Sequence, residues 1–320
     1  ALRGIARDDF TYAAPDPAWA GRIDRFAAPR SLAALGAAYA AQPQARLLAG
    51  GTDIGLWVNK RFRDVGSMIY LGDVAELSVI EHEGEVLRIG AAAPLEDAWA
   101  ALVAMVPDLA EMALRFAGPP VRHAGTMGGN VANGSPIGDA APVLMALDAT
   151  LVLQCGSEVR RVALDEFYLG YGVNALRAGE FLRAIEVARP DPAMIVRGWK
   201  ISKRSDCDIS ALSCGFALRC EAGVVRHIRL AFGGMAAIVR RADHAEAVLR
   251  EGVWSEARVT AAMAALGDDF APLSDMRASR QYRLRVARHL LWRIWLETRP
   301  ERQLPAAAMR VRPGVVASVA

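Results

Sequence analysis

The sequence predicts an α+β protein of two domains, and three observations carry that expectation. Short apolar runs of strand composition recur, some of them paired across glycine-containing turns, as far as residue 187. Pro190 and Pro192 then break the pattern. Beyond them, three strand patterns are followed only by helical ones. The 320 residues suffice for two domains of ordinary size. Hydrophobic residues make up 53% and charged residues 23%, the balance of a globular chain with a sizeable core. The expected limits are a linker over 1–21, a first domain over 22–190, a second, smaller sheet-and-helix domain over 195–300 and a tail over 301–320.

The elements follow in order. Residues 1–20 hold Pro15 and Pro17 and little periodicity, which reads as a linker. A helical pattern runs through Ser31, Leu32, Leu35, Ala38 and Tyr39, with Ser31 placed to cap it. Arg46–Ala49 and Ser67–Leu71 read as short strands, and Leu77–Ala93 as a hairpin turning at Glu83-Gly84. Helices are expected at Leu95–Met105 and Pro107–Phe116, followed by a glycine-rich stretch from Gly118 to Gly138. Ala149–Leu153 and Val159–Leu164 make a second hairpin around Gly156, and Phe181–Val187 a further strand. Past the prolines, Gly198–Ile201, Ile209–Arg219 and Val224–Phe232 read as strands, with a turn at Glu221-Ala222-Gly223. Ala242–Arg250, Ser255–Leu266 and Ser279–Thr298 are helical; in the last, Leu284, Ala287, Leu291, Ile294 and Trp295 recur at helical spacing.

Composition excludes several classes. The net charge is only +3, with no basic stripe interleaved with aromatics, so nucleic acid is not an expected partner. No apolar run reaches the ~18–20 residues of a membrane span; Ala91–Leu114 comes closest, and Glu96, Asp97, Asp108 and Glu111 interrupt it. No signal region opens the chain, and a cytoplasmic location is expected. The opening Ala-Leu-Arg, without a Met, points to a cut or partial N-terminus. Cys155, Cys207, Cys214 and Cys220 form no C-x-x-C, so no metal site is expected and the cysteines read as reduced thiols. His82, His123, His227, His244 and His289 are scattered, and no cluster suggests acid–base or nucleophilic catalysis.

Two glycine-rich segments remain. In Leu47-Leu48-Ala49-Gly50-Gly51-Thr52-Asp53-Ile54 a strand runs into two glycines, a hydroxyl and a carboxylate. Glycines let backbone N–H groups close on an anion, and Thr52 could add a phosphate hydrogen bond; a plain tight turn fits the same residues. Gly125-Thr126-Met127-Gly128-Gly129-Asn130, continued to Asp139, holds five glycines within residues 125–138. A loop that long in a compact domain is functional, disordered or structural. Neither segment is a G-x-G-x-x-G or a Walker fingerprint. Two such loops, about 75 residues apart, suit a dinucleotide held between two subdomains.

Together with Arg115-Phe116-Ala117-Gly118, these segments resemble the FAD signature of molybdenum hydroxylase flavoproteins. Gly179-Glu180-Phe181-Leu182, Lys200-Ile201-Ser202-Lys203-Arg204, Asp208-Ile209-Ser210, Ala231–Ala236 and Phe270–Ser279 follow in the family's order. The resemblance covers roughly residues 25–300 and is strongest to the small, FAD-binding subunit of bacterial xanthine dehydrogenases. It implies a two-subdomain PCMH-type FAD-binding fold followed by a CO dehydrogenase flavoprotein C-terminal-like domain. By resemblance, Leu47, Leu48, Ala49, Gly50, Gly51, Thr52, Asp53 and Ile54 wrap the FAD pyrophosphate, and Thr126, Gly128, Gly129 and Asn130 hold phosphates and ribityl chain. Asp139 meets the adenosine end, Phe116 lies near the isoalloxazine ring, and Leu182 and Lys200 contact flavin or adenine. Read without the family, Phe116 is a core residue and Lys200 a solvated strand lysine. The resemblance further implies NAD+ as hydride acceptor, and a molybdenum-cofactor subunit and [2Fe-2S] clusters as partners in a dimer of such pairs. Only about 25 residues precede the match and none is a cysteine, so the iron–sulfur part belongs to another chain or to a missing region. A carbon monoxide, nicotinate or aldehyde enzyme is the alternative within the family.

Overall fold

In a computed structural model of the chain, residues 8–16, 19–205, 207–305 and 308 are described. A four-stranded sheet comes first, built from β1 (Phe10–Pro15), β2 (Ile23–Ala28), β3 (Arg46–Leu48) and β4 (Met68–Tyr70) in the order β1-β2-β4-β3. Helix α1 (Leu32–Ala41) connects β2 to β3, and its N-cap Ser31 accepts from the Ala34 N–H as expected. Helix α2 (Ile54–Arg61) connects β3 to β4 and buries none of its residues. The segment expected to be a linker therefore carries a strand: β1 pairs antiparallel with β2 from Phe10↔Ala28 to Pro15↔Ile23. Five of its six residues are exposed, so it lacks the one-sided alternation that marks a strand in sequence.

The second unit begins with β5 (Ile80–Glu83) and β6 (Val86–Gly90), turning through Gly84 at φ +62°. Helices α3 (Leu95–Met105), α4 (Ala110–Arg115), α5 (Pro119–Ala124), α6 (Met127–Ala132) and α7 (Ala140–Ala146) follow. The hairpin β7 (Thr150–Cys155) and β8 (Glu158–Ala163) leads to a short helix α8 (Leu164–Phe167). A small two-stranded ribbon of β9 (Tyr168–Gly170) and β10 (Val173–Asn174) precedes β11 (Phe181–Ala188). The sheet order β5-β6-β11-β7-β8 places β11 between the two hairpins. The glycine-rich stretch 118–138, expected to be a loop, is thus broken by α5 and α6.

The C-terminal unit is the sheet β12 (Ile195–Ile201), β13 (Leu212–Glu221), β14 (Val224–Gly233) and β15 (Arg240–Arg241). It is backed by α9 (Asp243–Leu249), α10 (Glu256–Asp269) and α11 (Arg280–Thr298). Ala222 and Gly223, both at positive φ, make the β13–β14 turn, which suits the right-handed twist of a hairpin. The two faces of this sheet differ in residue size. Trp199, Phe216, Phe232 and Phe270 form a chain of edge-on rings on the helix side, with centroids 5.2–5.5 Å apart; such pairs add about 0.5–1.5 kcal/mol each beyond burial. The opposite face carries Gly198, Gly215 and Ala231, which share register across β12, β13 and β14. These small residues admit α7, all seven residues of which are buried. A Cβ on Gly215 would lie 2.2 Å from the Pro142 carbonyl oxygen. Val196, Ala217 and Ala231 accordingly belong to the same core as the second unit's helices and sheet. In the first turn of α11 Leu284 packs against the core half-buried, while Arg283 beside it is fully buried. Of the expected tail over 301–320, only residues 301–305 and 308 are among the described residues.

Candidate functional site

The two glycine-rich segments meet. Gly50 ends the run from β3, and a Cβ there would lie 1.7 Å from Ala124 O and 2.8 Å from Gly125 Cα. A Cβ on Gly125 would in turn sit 3.4 Å from Thr52 Oγ1. The turn between β3 and α2 therefore rests directly on the backbone joining α5 to α6. Gly51 takes φ +70°, a left-handed conformation that side chains rarely adopt.

The backbone donors of this turn are its chief chemical feature. The N–H groups of Gly50, Gly51, Thr52, Asp53 and Ile54 have no acceptor among the described residues. The carbonyls of Gly51 and Asp53 are meanwhile taken by Gly55, Leu56 and Trp57. Thr52 and Asp53 are exposed, and Asp53 makes no side-chain cap on α2. Successive unpaired donors in a glycine turn, beside a helix N-terminus, form a concavity for an anion such as a pyrophosphate. Leu47, Leu48 and Ala49 are half-buried residues of the strand and its end, and they position the turn.

The second segment is arranged differently from the expectation. The Met127 and Gly128 N–H groups donate to Ala93 O and Ala91 O, each at 3.0 Å. Thr126 caps α6, its hydroxyl accepting from the Gly129 N–H at 3.0 Å. These donors are spent inside the protein, so Gly128 serves packing: a Cβ on it would lie 2.5 Å from Ala91 O. What remains toward a ligand is the exposed Gly129 backbone and Asn130, whose buried Oδ1 has no hydrogen-bond partner. An orphaned buried polar atom on α6, the helix that follows the Gly125 contact, fits a polar ligand.

Other expected site residues are occupied elsewhere. Phe116 is only 4% exposed and packs on Trp99 with centroids 5.5 Å apart, so its ring sits in the core. Leu182 is a core residue of β11. Asp139 and Lys200 bond to each other: Lys200 Nζ donates to Asp139 Oδ2 at 2.5 Å, and the Ser210 hydroxyl donates to Oδ1 at 2.5 Å. All three are buried. This trio, from the start of α7, from β12 and from the loop before β13, ties the second unit to the C-terminal one; the sequence places Ser210 in a motif without giving it a role.

Two further strings singled out in sequence come together at the mouth of the C-terminal unit. A cleft of ≈ 270 Å³ is lined by Lys203, Asp208, Ile209 and Ala211 on one side and by Met276 and Arg277 on the other. Lys203 Nζ donates to Met276 O at 2.8 Å across it. Burial opposes ionisation of Asp275, but the N–H groups of Arg277 and Ala278 and the Arg283 guanidinium outweigh it and hold its carboxyl at about 2. No helix among the described residues is long and apolar enough to cross a membrane.

Residues 22–190 match the FAD binding domain in molybdopterin dehydrogenase, and residues 197–298 the CO dehydrogenase flavoprotein C-terminal domain. The chain is 32% identical to the xanthine dehydrogenase FAD-binding subunit of Escherichia coli O157:H7, over 76% of this chain and 85% of that one. It is 30% identical to a nicotinate hydroxylase of Emericella nidulans over 79% of its own length, but spans only 20% of that protein. Among solved structures, a carbon monoxide dehydrogenase chain from Hydrogenophaga pseudoflava superposes with a TM-score of 0.78 at 29% identity, covering 84% of this chain and 94% of that one. The chain belongs to the molybdenum hydroxylase flavoproteins, an oxidoreductase family, and carries that family's FAD-binding domain and flavoprotein C-terminal domain.

Proposed function

We propose that this chain is the FAD-binding electron-transfer component of a xanthine dehydrogenase, working beside a molybdenum-cofactor subunit and iron–sulfur domains in a dimer of such pairs. The observation that carries the cofactor part is the row of unpaired N–H groups from Gly50 to Ile54, held against Gly125. Those donors would take the pyrophosphate, with Asn130 on its other side. Bound FAD supplies hydride and single-electron transfer, which no side chain provides. The chain's own residues do the rest: Gly50 and Gly51 shape the anion cradle, and α6, anchored on Ala91 and Ala93, holds Asn130 in place. The C-terminal sheet packs on α7, which follows the second glycine-rich segment.

The finer reading, with xanthine and hypoxanthine oxidised to urate on the partner subunit and NAD+ reduced here, rests on the Escherichia coli relative and on the strings Asn133–Asp139 and Ser274–Arg277. A second reading has support from relatives named for nicotinate and carbon monoxide, in which the same flavin unit serves another substrate. The division of labour has a direct test. The purified chain with FAD should pass electrons from NADH to an artificial acceptor and should not oxidise xanthine. Xanthine turnover by this chain alone would refute it; flavin binding without NADH oxidation would favour the second reading.

A further inference from the structure

The first turn of α11 carries a buried cation that the flavin reading does not use. Arg283 is 3% exposed. Its Nη1 donates to the carbonyls of Ala211 and Gly234, the latter at 2.9 Å, and its Nη2 to Asp275 Oδ1 at 2.7 Å. Ala211 enters β13 and Gly234 leaves β14, so one guanidinium joins the adjacent ends of two paired strands. Asp275 is itself fixed by the N–H groups of Arg277 and Ala278, at 2.8 and 3.1 Å.

Both strand ends grip the second glycine-rich segment. The Gly234 N–H donates to Pro136 O at 2.7 Å. Ser210, next to Ala211, donates to Asp139 Oδ1. A Cβ on Gly233 would lie 3.4 Å from Gly138 O, so the backbones run in contact. Residues 136–139 are therefore clasped at both ends by atoms whose positions depend on the carbonyls that Arg283 holds. Gly234 stands at φ +80°, and a Cβ on it would meet Ala211 O at 2.6 Å and Arg283 Nη1 at 3.0 Å, so the clasp closes only on glycine. Packing alone does not call for a charge here, since an apolar residue of similar volume commonly serves a buried position as well. A planar fork with several donors, by contrast, can hold two carbonyls and a carboxylate in one geometry.

We propose that Arg283, set by Asp275, is a positioning residue for the cofactor segment, holding the C-terminal unit's clasp on residues 136–139. The proposal rests on the reading that this segment borders FAD. Three variants test it: Arg283→Lys, which keeps the charge and loses the fork; Asp275→Asn, at the partly exposed end of the pair; and Arg288→Lys, a control whose Nε bonds Met263 O and ties α11 to α10. Hydrogen exchange of residues 133–139 and 234 in the flavin-free protein is read beside melting temperature and FAD affinity. Arg283→Lys should raise exchange in the segment and weaken FAD about tenfold, and Asp275→Asn should move both the same way by about threefold. Arg288→Lys should lower melting alone. If Arg283→Lys does not fold, Asp275→Asn carries the test. Unchanged exchange in the segment, or changes that merely follow melting temperature as in the control, would overturn the proposal. Loss of FAD binding by the unsubstituted chain would instead overturn the flavin reading, and the exchange result would still judge the clasp.

Discussion

Gly50→Ala is the sharpest perturbation of the site, because one methyl group enters a place with no room for it. The added Cβ would lie 1.7 Å from Ala124 O, 2.6 Å from Ala124 C and 2.8 Å from Gly125 Cα, where ordinary contact begins at 3.4 Å. All three atoms are backbone, so no rotamer change relieves the clash and the two glycine segments must part. Overpacking of this kind costs about 1–3 kcal/mol. The same separation moves the five N–H groups of residues 50–54 away from Asn130. FAD affinity should fall between about fivefold and about 140-fold, the equivalent of that cost. Gly55→Ala is the matched control. It lies five residues on, inside α2, with nothing within 4 Å of its Cβ, and should gain up to about 1 kcal/mol of helix stability. Flavin fluorescence titration and thermal melting, run on both variants, give the comparison. If Gly50→Ala binds FAD and melts like Gly55→Ala, the two segments do not pack as described and the reasoning fails.

Other outcomes follow from the same structure. Lys200→Met leaves the Asp139 carboxylate buried with only Ser210, and should cost about 3–5 kcal/mol in chemical denaturation, much of it restored by adding Asp139→Leu. A cost below about 1 kcal/mol would show the pair to be solvated. Because the folded Asp275 carboxyl titrates at about 2, below its ordinary 3.8, its contribution is complete above about pH 4 and is lost as pH falls toward 2. The stability gap between the unsubstituted chain and Asp275→Asn should therefore shrink across that window, and a gap independent of pH would contradict the assignment. Neither glycine segment holds a His or Cys, so acid precipitation should release FAD into the supernatant; colour retained in the pellet would indicate a covalent bond. From its native source the chain should co-purify with a larger molybdenum-cofactor subunit, and a stable monomer without affinity for that subunit would contradict the proposed assembly.

How far this was legible in the sequence depends on burial. The hairpins β7–β8 and β13–β14 stand out because β7 and β13 are nearly continuous buried apolar runs and a positive-φ turn, at Gly156 or at Ala222-Gly223, closes each. Strand β1 and helix α2 escaped because they bury almost nothing: with no core-facing stripe there is no period to detect. Residues 118–138 read as a loop because glycine is a poor helix former. They become two short helices because Pro119 opens α5, Thr126 caps α6 and the carbonyls of Ala91 and Ala93 take the next two donors. Those carbonyls come from a distant part of the chain, which local propensity cannot register. The first glycine turn was legible as a turn of free backbone donors because its spacing is local. The lock of Asp139, Lys200 and Ser210 was not, since it joins residues 61 and 71 positions apart. Arg283 was passed over because Leu284 completes the apolar period of α11 and a charge at an inward position is rare.

The central claim, that the turn from Gly50 to Ile54 and the segment around Asn130 together hold FAD, is tested most directly by titrating the flavin-free chain with FAD and following flavin fluorescence. The account predicts saturable binding of one FAD per chain, competed by adenosine diphosphate through the shared pyrophosphate and abolished in a chain carrying both Gly51→Val and Asn130→Leu. Absence of saturable binding, or full binding by the doubly substituted chain, would contradict it.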